Sequence, residues 1–263
     1  MQTIVTTSHK PDPRSMEIAM WAAEQLKSEF VERRRMSLND LKIINNAENI
    51  IVVANSELKL YSSHGIYFFH PSMSVPRIKA IKQGKSDHMI EAMSVHPGDR
   101  VLDCTLGLGS DAIVASFVSG PEGQVTGIEA TSEIALIVKH GLGNYNSESH
   151  SLKSAMERIQ VKCALYEHYL TEIPERSYDI VYFDPMFRQP RMRSSSMEPL
   201  RGIVKHDPLS PEAVKEAVRV ARKRVVMKEN SFSKEFARLG FSKVIGGRYS
   251  PVAFGVIEKE AEI

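Results

Sequence analysis

The chain of 263 residues has only two cysteines and one tryptophan. It has no apolar run near the roughly 20 residues that a membrane-spanning helix needs. Cys104 and Cys163 cannot complete a structural zinc site alone, and no histidine cluster lies beside them. Each falls in an apolar, strand-like stretch, so both are expected as buried thiols. Met1 to Lys10 lacks the apolar core of a signal peptide. Neither sign of charge dominates: 34 Lys and Arg stand against 32 Asp and Glu, a formal +2. Any contact with nucleic acid must therefore rest on local patches rather than on the whole-chain field. These absences lead us to expect a cytoplasmic protein with no metal and no membrane span. What is present is ordinary for a globular chain: 42% hydrophobic and 25% charged residues, enough for a proper core.

The chain shows no internal repeat. Thr3 to Thr7 reads as a strand, followed by a turn at Pro11 and Pro13. Apolar residues at Ile18, Trp21, Ala22, Leu26 and Phe30 predict a helix over 15–30. A second helix is expected after Ser37, with Asp40 in its first turn. Three β segments follow, at Ile50 to Ala54, Leu58 to Tyr61 and Ile66 to Phe69. Pro71 and Pro76 mark the passage to a helix over 78–93. A domain boundary near 70–80 divides a small α/β subdomain, 1–74, from a larger domain, 75–263.

Beyond it, strands and helices alternate. Strands are expected at Arg100 to Cys104, Gln124 to Glu129, Val161 to Tyr166, Tyr178 to Phe183 and Val225 to Lys228. Helices are expected at Asp111 to Val118, from Ser132, and at Pro211 to Arg222. Ser242 to Gly246 and Ala253 to Glu258 suggest a terminal antiparallel hairpin. The alternation implies a doubly wound, mostly parallel sheet of Rossmann-like type, with ligands at the carboxyl ends of its strands.

The most informative stretch runs from Val101 to Asp111, VLDCTLGLGSD. A strand ends in a carboxylate, Asp103, and Thr105, Gly107 and Gly109 lead into a helix that opens at Ser110 and Asp111. Glycine permits positive φ and close approach of a ligand, and the helix start offers unpaired N–H groups. Glu129, which ends the next strand, can accept both hydroxyl protons of a ribose. The spacing Gly107-x-Gly109-x-x-Ala112 also satisfies the dinucleotide fingerprint, so the loop alone leaves both an S-adenosylmethionine (SAM) and a dinucleotide reading open. Asp103 favours SAM, because a carboxylate there repels a pyrophosphate but suits a ligand with cationic ammonium and sulfonium groups.

The fourth strand of the series runs into Asp184-Pro185-Met186-Phe187. This resembles the Asp/Asn-Pro-Pro-aromatic signature of methyltransferases that act on amino groups of bases. Such an amine is a poor nucleophile because its lone pair is delocalised into the ring. Asp184 and the Pro185 carbonyl can accept its two N–H bonds, which aims the lone pair and stabilises positive charge developing on nitrogen. Proline stiffens the turn. Phe187 can stack on the base, worth ~1–3 kcal/mol. The alternative is that Asp184 merely caps the turn after the strand.

With these motifs the chain resembles the RsmJ-type family of small-subunit ribosomal RNA guanine-N2 methyltransferases, from about Ser74 to Ile257. Asp103-x-Thr105-x-Gly107-Leu108-Gly109-x-Asp111-Ala112 is similar to that family's cofactor loop, Asp184 to Phe187 to its Asp-Pro-Met-Phe motif, and Arg222 to Lys228 to its fifth strand. The resemblance implies a class I SAM-dependent fold, with SAM contacts at Ser110, Asp111, Glu129, Ala130 and Asp184. Where the family carries a serine pair after the third strand, this chain has Leu165-Tyr166, which makes Tyr166 the candidate contact there. Ser110 stands where the family usually has arginine. Outside this match, Ile4 to Pro11, Arg35 to Leu38 and Ile51 to Val53 resemble the Brix-type RNA-binding fold; a plain α/β cap is the alternative.

Arg188, Arg191, Arg193, Arg201 and Lys205 follow the Asp-Pro motif, interrupted by Glu198, with Ser194 to Ser196 and Gly202 between them. Such a loop can close over a base and grip phosphates, which makes Arg188, Arg191 and Arg193 candidate substrate contacts. Arg33 to Arg35 form a second candidate patch. His64, His70, His168 and His206 lack a Ser or Cys partner for hydrolysis and are read as structural. The sequence thus predicts a SAM-dependent methyltransferase acting on structured RNA. The rivals are a methyltransferase for a small molecule or protein, a non-catalytic RNA-binding factor, and a dinucleotide oxidoreductase.

Overall fold

Valine- and isoleucine-rich runs bounded by Asn, Ser and Gly turns build two sheets. The computed structural model describes residues 2–71, 73–185, 208–246 and 250–259. Among these, the contacts separate into two compact units, the first formed by residues up to His70 together with Thr131–Asn144.

The first unit holds β1 (Thr3–Thr7), α1 (Pro13–Leu26), β2 (Glu29–Phe30), α2 (Leu38–Ile44), β3 (Asn49–Ala54), β4 (Glu57–Ser62) and β5 (Gly65–Phe68). Its strands order as β2-β1-β3-β4-β5, parallel from β2 to β3 and antiparallel from β3 to β5. The helix expected over 15–30 is shorter. Lys27 adopts φ 50° and closes α1, which releases Phe30 into β2 beside Val5. Ser37 and Asp40 form a reciprocal capping box at the start of α2. The helix Ser132–Asn144 (α6 in chain order) joins this unit. Its Gly141 is required by close approach, because an added Cβ would lie 2.2 Å from the Phe69 ring.

The second unit is built on a seven-stranded sheet. Its elements are α3 (Ser74–Lys82), α4 (His88–Met93), β6 (Arg100–Asp103), α5 (Ser110–Ser119), β7 (Gln124–Glu129), α7 (His150–Glu157), β8 (Ile159–Cys163), α8 (Tyr166–Glu172), β9 (Tyr178–Phe183), α9 (Pro211–Val220), β10 (Ala221–Asn230), α10 (Glu235–Arg238), β11 (Lys243–Ile245) and β12 (Val252–Glu258). The order is β11-β12-β10-β9-β6-β7-β8; β8 to β10 run parallel and β12 is antiparallel to both β10 and β11. This is the mostly parallel, doubly wound α/β sheet with a terminal hairpin expected from the alternation.

Strand alternation sorts the side chains by face. Leu102 and Cys104, Val181 and Phe183, and Val225 and Met227 join one core with Leu170, Ala213, Val214, Ala217 and Phe236. Their neighbours Val101 and Asp103, Ile180 and Tyr182, and Val226 and Lys228 belong to the opposite set.

Three local expectations need correction. The helix over 78–93 is two helices, since Gly84 turns at φ 77° and Asp87 caps the second by accepting the Ile90 N–H at 3.2 Å. The third strand stops at Cys163, and Tyr166 opens α8 instead of ending the strand. Cys104 is buried as expected but Cys163 is exposed, because β8 is the sheet's edge strand.

Candidate functional site

Parallel strands point their carboxyl ends to one side, and ligands of such sheets sit there. On that side, within the second unit, lie the residues the motifs singled out. Asp103 ends β6 at 2% exposure. Among the described residues, its carboxylate accepts one hydrogen bond, from the Thr105 N–H at 3.0 Å. Burial, with the Asp111 and Asp184 carboxylates nearby, raises its pKa to about 8, against the Thr105 bond that lowers it.

The loop after Asp103 is tied at both ends. The Cys104 N–H donates to the Tyr182 carbonyl at 2.9 Å, and the Leu106 N–H to the Ile128 carbonyl at 2.9 Å. Gly107 and Gly109 take φ of 50° and 75°, where a side chain is strained. The Gly107 N–H donates to Glu129 Oε2 at 3.2 Å, so the second strand's carboxylate lies beside the glycine bend. Among the described residues, no side chain caps the start of α5 at Gly109.

The Asp-Pro corner meets this loop directly. The Asp184 N–H donates to Thr105 Oγ1 at 2.6 Å. The Asp184 carboxylate takes the Lys228 ammonium at Oδ2, 2.6 Å away. Burial raises its pKa, and Lys228 opposes that rise. Lys228 also reaches Asp111 Oδ2 at 3.1 Å, and the Tyr182 hydroxyl donates to the same oxygen at 2.8 Å. Asp111 Oδ1 pairs with Arg77, whose other donors form a two-point pair with Asp87 at 2.7 and 2.9 Å. Burial alone would raise Asp111, but Lys228 and Arg77 hold it well below the usual carboxylate range. The Lys228 ammonium is disfavoured by burial, yet Asp184 and Asp111 outweigh that and push its pKa up.

The structure therefore brings Asp103, Thr105, Gly107, Gly109, Ser110, Asp111, Glu129, Asp184 and Pro185 to one strand edge. The Asp111 side chain is already committed to Arg77, Lys228 and Tyr182. Ala130 follows Glu129 and is exposed. Tyr166 meets Phe183 edge-on, at 5.6 Å and 76°, and packs against the core. Phe187, Arg188, Arg191 and Arg193 lie outside the described residues. Sequence reasoning missed Arg77 and Lys228. Alternation from the buried Val226 brings Lys228 to the strand face that carries Tyr182, a readable signal. Arg77 meets Asp111 only through packing of α3 on α5, which leaves no local trace.

The donor set can be tested against a nucleoside-bearing cation. Among the described residues Asp103 is a buried acceptor with one hydrogen-bond partner, the two left-handed glycines admit close approach, and Glu129 ends the neighbouring strand. These features fit SAM. Among the described residues, no group of three or more His, Cys, Asp or Glu is arranged to hold a metal, and no helix is long and apolar enough to cross a membrane.

Comparisons with known proteins agree. A family model described as "Putative SAM-dependent methyltransferase" matches residues 34–248, starting well upstream of Ser74. The uncharacterized protein YpiP of Bacillus subtilis (strain 168) is 36% identical over 257 residues, 97% of this chain and 99% of its own length. The ribosomal RNA small subunit methyltransferase J of Coxiella burnetii is 29% identical over 155 residues, 57% of this chain and 58% of that one. Its namesake from Buchnera aphidicola subsp. Schizaphis graminum is 26% identical over 234 residues, 80% of this chain and 86% of that one. A SAM-dependent methyltransferase from Neisseria gonorrhoeae superposes with a TM-score of 0.65 at 15% identity, over 97% of this chain and 95% of its own, which shows a shared fold. These matches remove the dinucleotide reading of the glycine loop: the chain belongs to the SAM-dependent methyltransferase family, with S-adenosylmethionine as its cofactor.

Proposed function

We propose that this methyltransferase modifies an exocyclic amino group, guanine N2, in small-subunit ribosomal RNA. The observation that carries the reading is the Asp184 corner. Its backbone is fastened to the cofactor loop through Thr105, and its carboxylate stands at the end of the strand with Lys228 on one oxygen. The names of the Coxiella and Buchnera relatives support RNA as the substrate.

Asp103, Glu129, the Gly107–Gly109 bend and the start of α5 would hold SAM, with Ala130 and Tyr166 at its margin. Bound there, SAM supplies an electrophilic methyl carbon on a sulfonium leaving group. Asp184 accepts one N–H of the target amine and the Pro185 carbonyl the other. That arrangement directs the nitrogen lone pair at the methyl carbon and stabilises the cation forming on nitrogen. Asp184 need not be a strong base, because the amine proton becomes acidic only as the new C–N bond forms and then passes through the hydrogen-bonded Asp184 to water. Phe187 stacks on the base, which leaves its helix to reach the site. Arg188, Arg191 and Arg193 grip phosphates. Residues 75–263 act as the catalytic domain and 1–74 as an RNA-binding or capping subdomain. A protein with this substrate works in the cytoplasm.

The test is transfer of labelled methyl from SAM to small ribosomal subunits or their RNA, with nucleoside mass spectrometry of ribosomal RNA from cells with and without the gene. An N2-methylguanosine that vanishes with the gene is the expected result. Transfer to a small molecule or protein alone would overturn the RNA assignment, and transfer to nothing would make the protein a non-catalytic binder. If four loop cations contact single-stranded phosphates, log K should fall against log salt with a slope of about −2.8. Arg191→Ala with Arg193→Ala should then halve that slope.

A further inference from the structure

Lys228 is an odd residue for the inner part of the site. It sits next to Met227, which pairs in register with Phe183, so its neighbour across the strands is Asp184. Its side chain is 24% exposed and Asp184's is 28%, so both charges have lost much of their water. Ion pairs in such settings recover little net stability, since desolvation offsets attraction, and an aliphatic side chain of similar volume serves a fold as well. A lysine held at 2.6 Å from the reacting carboxylate therefore asks for a role in the chemistry.

Its environment fixes it from several sides. From α5, Asp111 accepts the same ammonium at 3.1 Å. Asp111 is held in turn by Tyr182 of β9 and by Arg77 of α3, and Arg77 is clamped by Asp87 at the start of α4. Among the described residues, Asp103 at the end of β6 is a further charged group influenced by both Asp184 and Lys228. The ammonium thus has a fixed seat and is not a mobile counterion.

We propose that Lys228 is a positioning residue for methyl transfer: seated by Asp111 and Arg77, it occupies Asp184 Oδ2 and so presents Oδ1 to the incoming amine. The proposal rests on the amino-group reading above. An amine N–H needs an acceptor, and a protonated carboxylic acid offers a donor instead on one of its oxygens. Burial works toward protonation of Asp184, and Lys228 works against it. Lys228 therefore does two things at once: it fixes the carboxylate's rotation, and it favours the ionised form, which only accepts.

The test compares wild type, Lys228→Met and Lys228→Arg by two readouts, after circular dichroism and thermal melts confirm folding. The first is the carboxyl ¹³C resonance of Asp184, assigned with Asp184→Asn and followed against pH with neither SAM nor RNA present. The second is kcat against pH for transfer to the RNA acceptor. Lys228→Met should titrate Asp184 at higher pH than wild type. It should also lose roughly tenfold or more in kcat at neutral pH, with partial recovery as pH rises. The Kd for SAM should change little, and Lys228→Arg should restore the wild-type titration. A structural role alone would scale the rate equally at every pH. An Asp184 titration in Lys228→Met that superimposes on wild type overturns the proposal, whatever the acceptor proves to be. Absence of RNA methylation by wild type would instead count against the RNA reading, and the resonance would still decide the part played by Lys228.

Discussion

At the amino end of the seven-stranded sheet, Asp99 accepts the His96 N–H at 2.8 Å and pairs with Lys223, while Asp179 accepts the Arg100 N–H at 2.9 Å. At the carboxyl end, among the described residues, Asp103 accepts one N–H and Asp184 accepts only the Lys228 ammonium. Both ends hold buried or half-buried carboxylates beside lysine. At the amino end the carboxylates are used up in stitching turns to strand starts, and Asp99 is 3% exposed with its acceptors engaged. At the carboxyl end acceptor capacity is left over, and burial pushes Asp103 up to about 8. The difference teaches that composition does not distinguish a structural cluster from a ligand site. The number of acceptors left unused does.

The comparison can be broken by substitution, and the largest effect belongs to the carboxyl end. Asp184→Ala removes the acceptor proposed to stabilise charge in transfer, and kcat should fall at least ~10²–10³-fold. The melting temperature should change little, because the Thr105 bond uses the Asp184 backbone. A retained rate in that variant would make the corner a mere turn cap.

Next in size is the reverse case. Asp99→Ala breaks two bonds at the amino end and should cost about 1–2 kcal/mol, read as a fall in melting temperature of a few degrees. Its kcat and SAM affinity should match wild type. Loss of transfer without loss of stability there would erase the distinction between the two ends.

The remaining effect is in pH dependence. Asp103 titrates at about 8 in the folded protein, but near 4 in an unfolded chain. Between these values the folded state binds more protons than the unfolded state, so stability falls as pH rises and levels off above about 8. Asp103→Asn should flatten this slope, so that its melting temperature gains on wild type as pH rises from 5 to 8. Parallel melting curves against pH would contradict the assignment.

How much of this was legible follows from where the signals lie. Asp103 and Asp184 each end an apolar run before a glycine bend or a proline, and Glu129 ends one before the helix that opens at Ser132, so strand and carboxylate can be read together. The doubly wound order and the hairpin came from the same alternation. Ala164, Leu165 and Tyr166 continue the apolar pattern and so suggest a strand through Tyr166, yet edge-strand pairing stops at Cys163. Gly84 and Asp87 were weaker signals than the apolar periodicity around them, so one helix was expected where two stand. Arg77 could not be found, since the fold alone brings α3 to α5. The grouping of α6 with the first sheet was equally hidden, as it depends on Gly141 meeting Phe69.

The central claim is that the carboxyl end of the sheet, through its unspent acceptor, is where the methyl donor binds. Calorimetric titration of SAM into wild type, Asp103→Asn and Asp99→Ala tests it most directly. Above pH 8, where Asp103 is ionised, wild type and Asp99→Ala should bind alike, and Asp103→Asn should bind about 10- to 100-fold more weakly, as expected for loss of one desolvated charge contact. Equal affinity in Asp103→Asn and wild type, or an equal loss in both variants, would contradict the account.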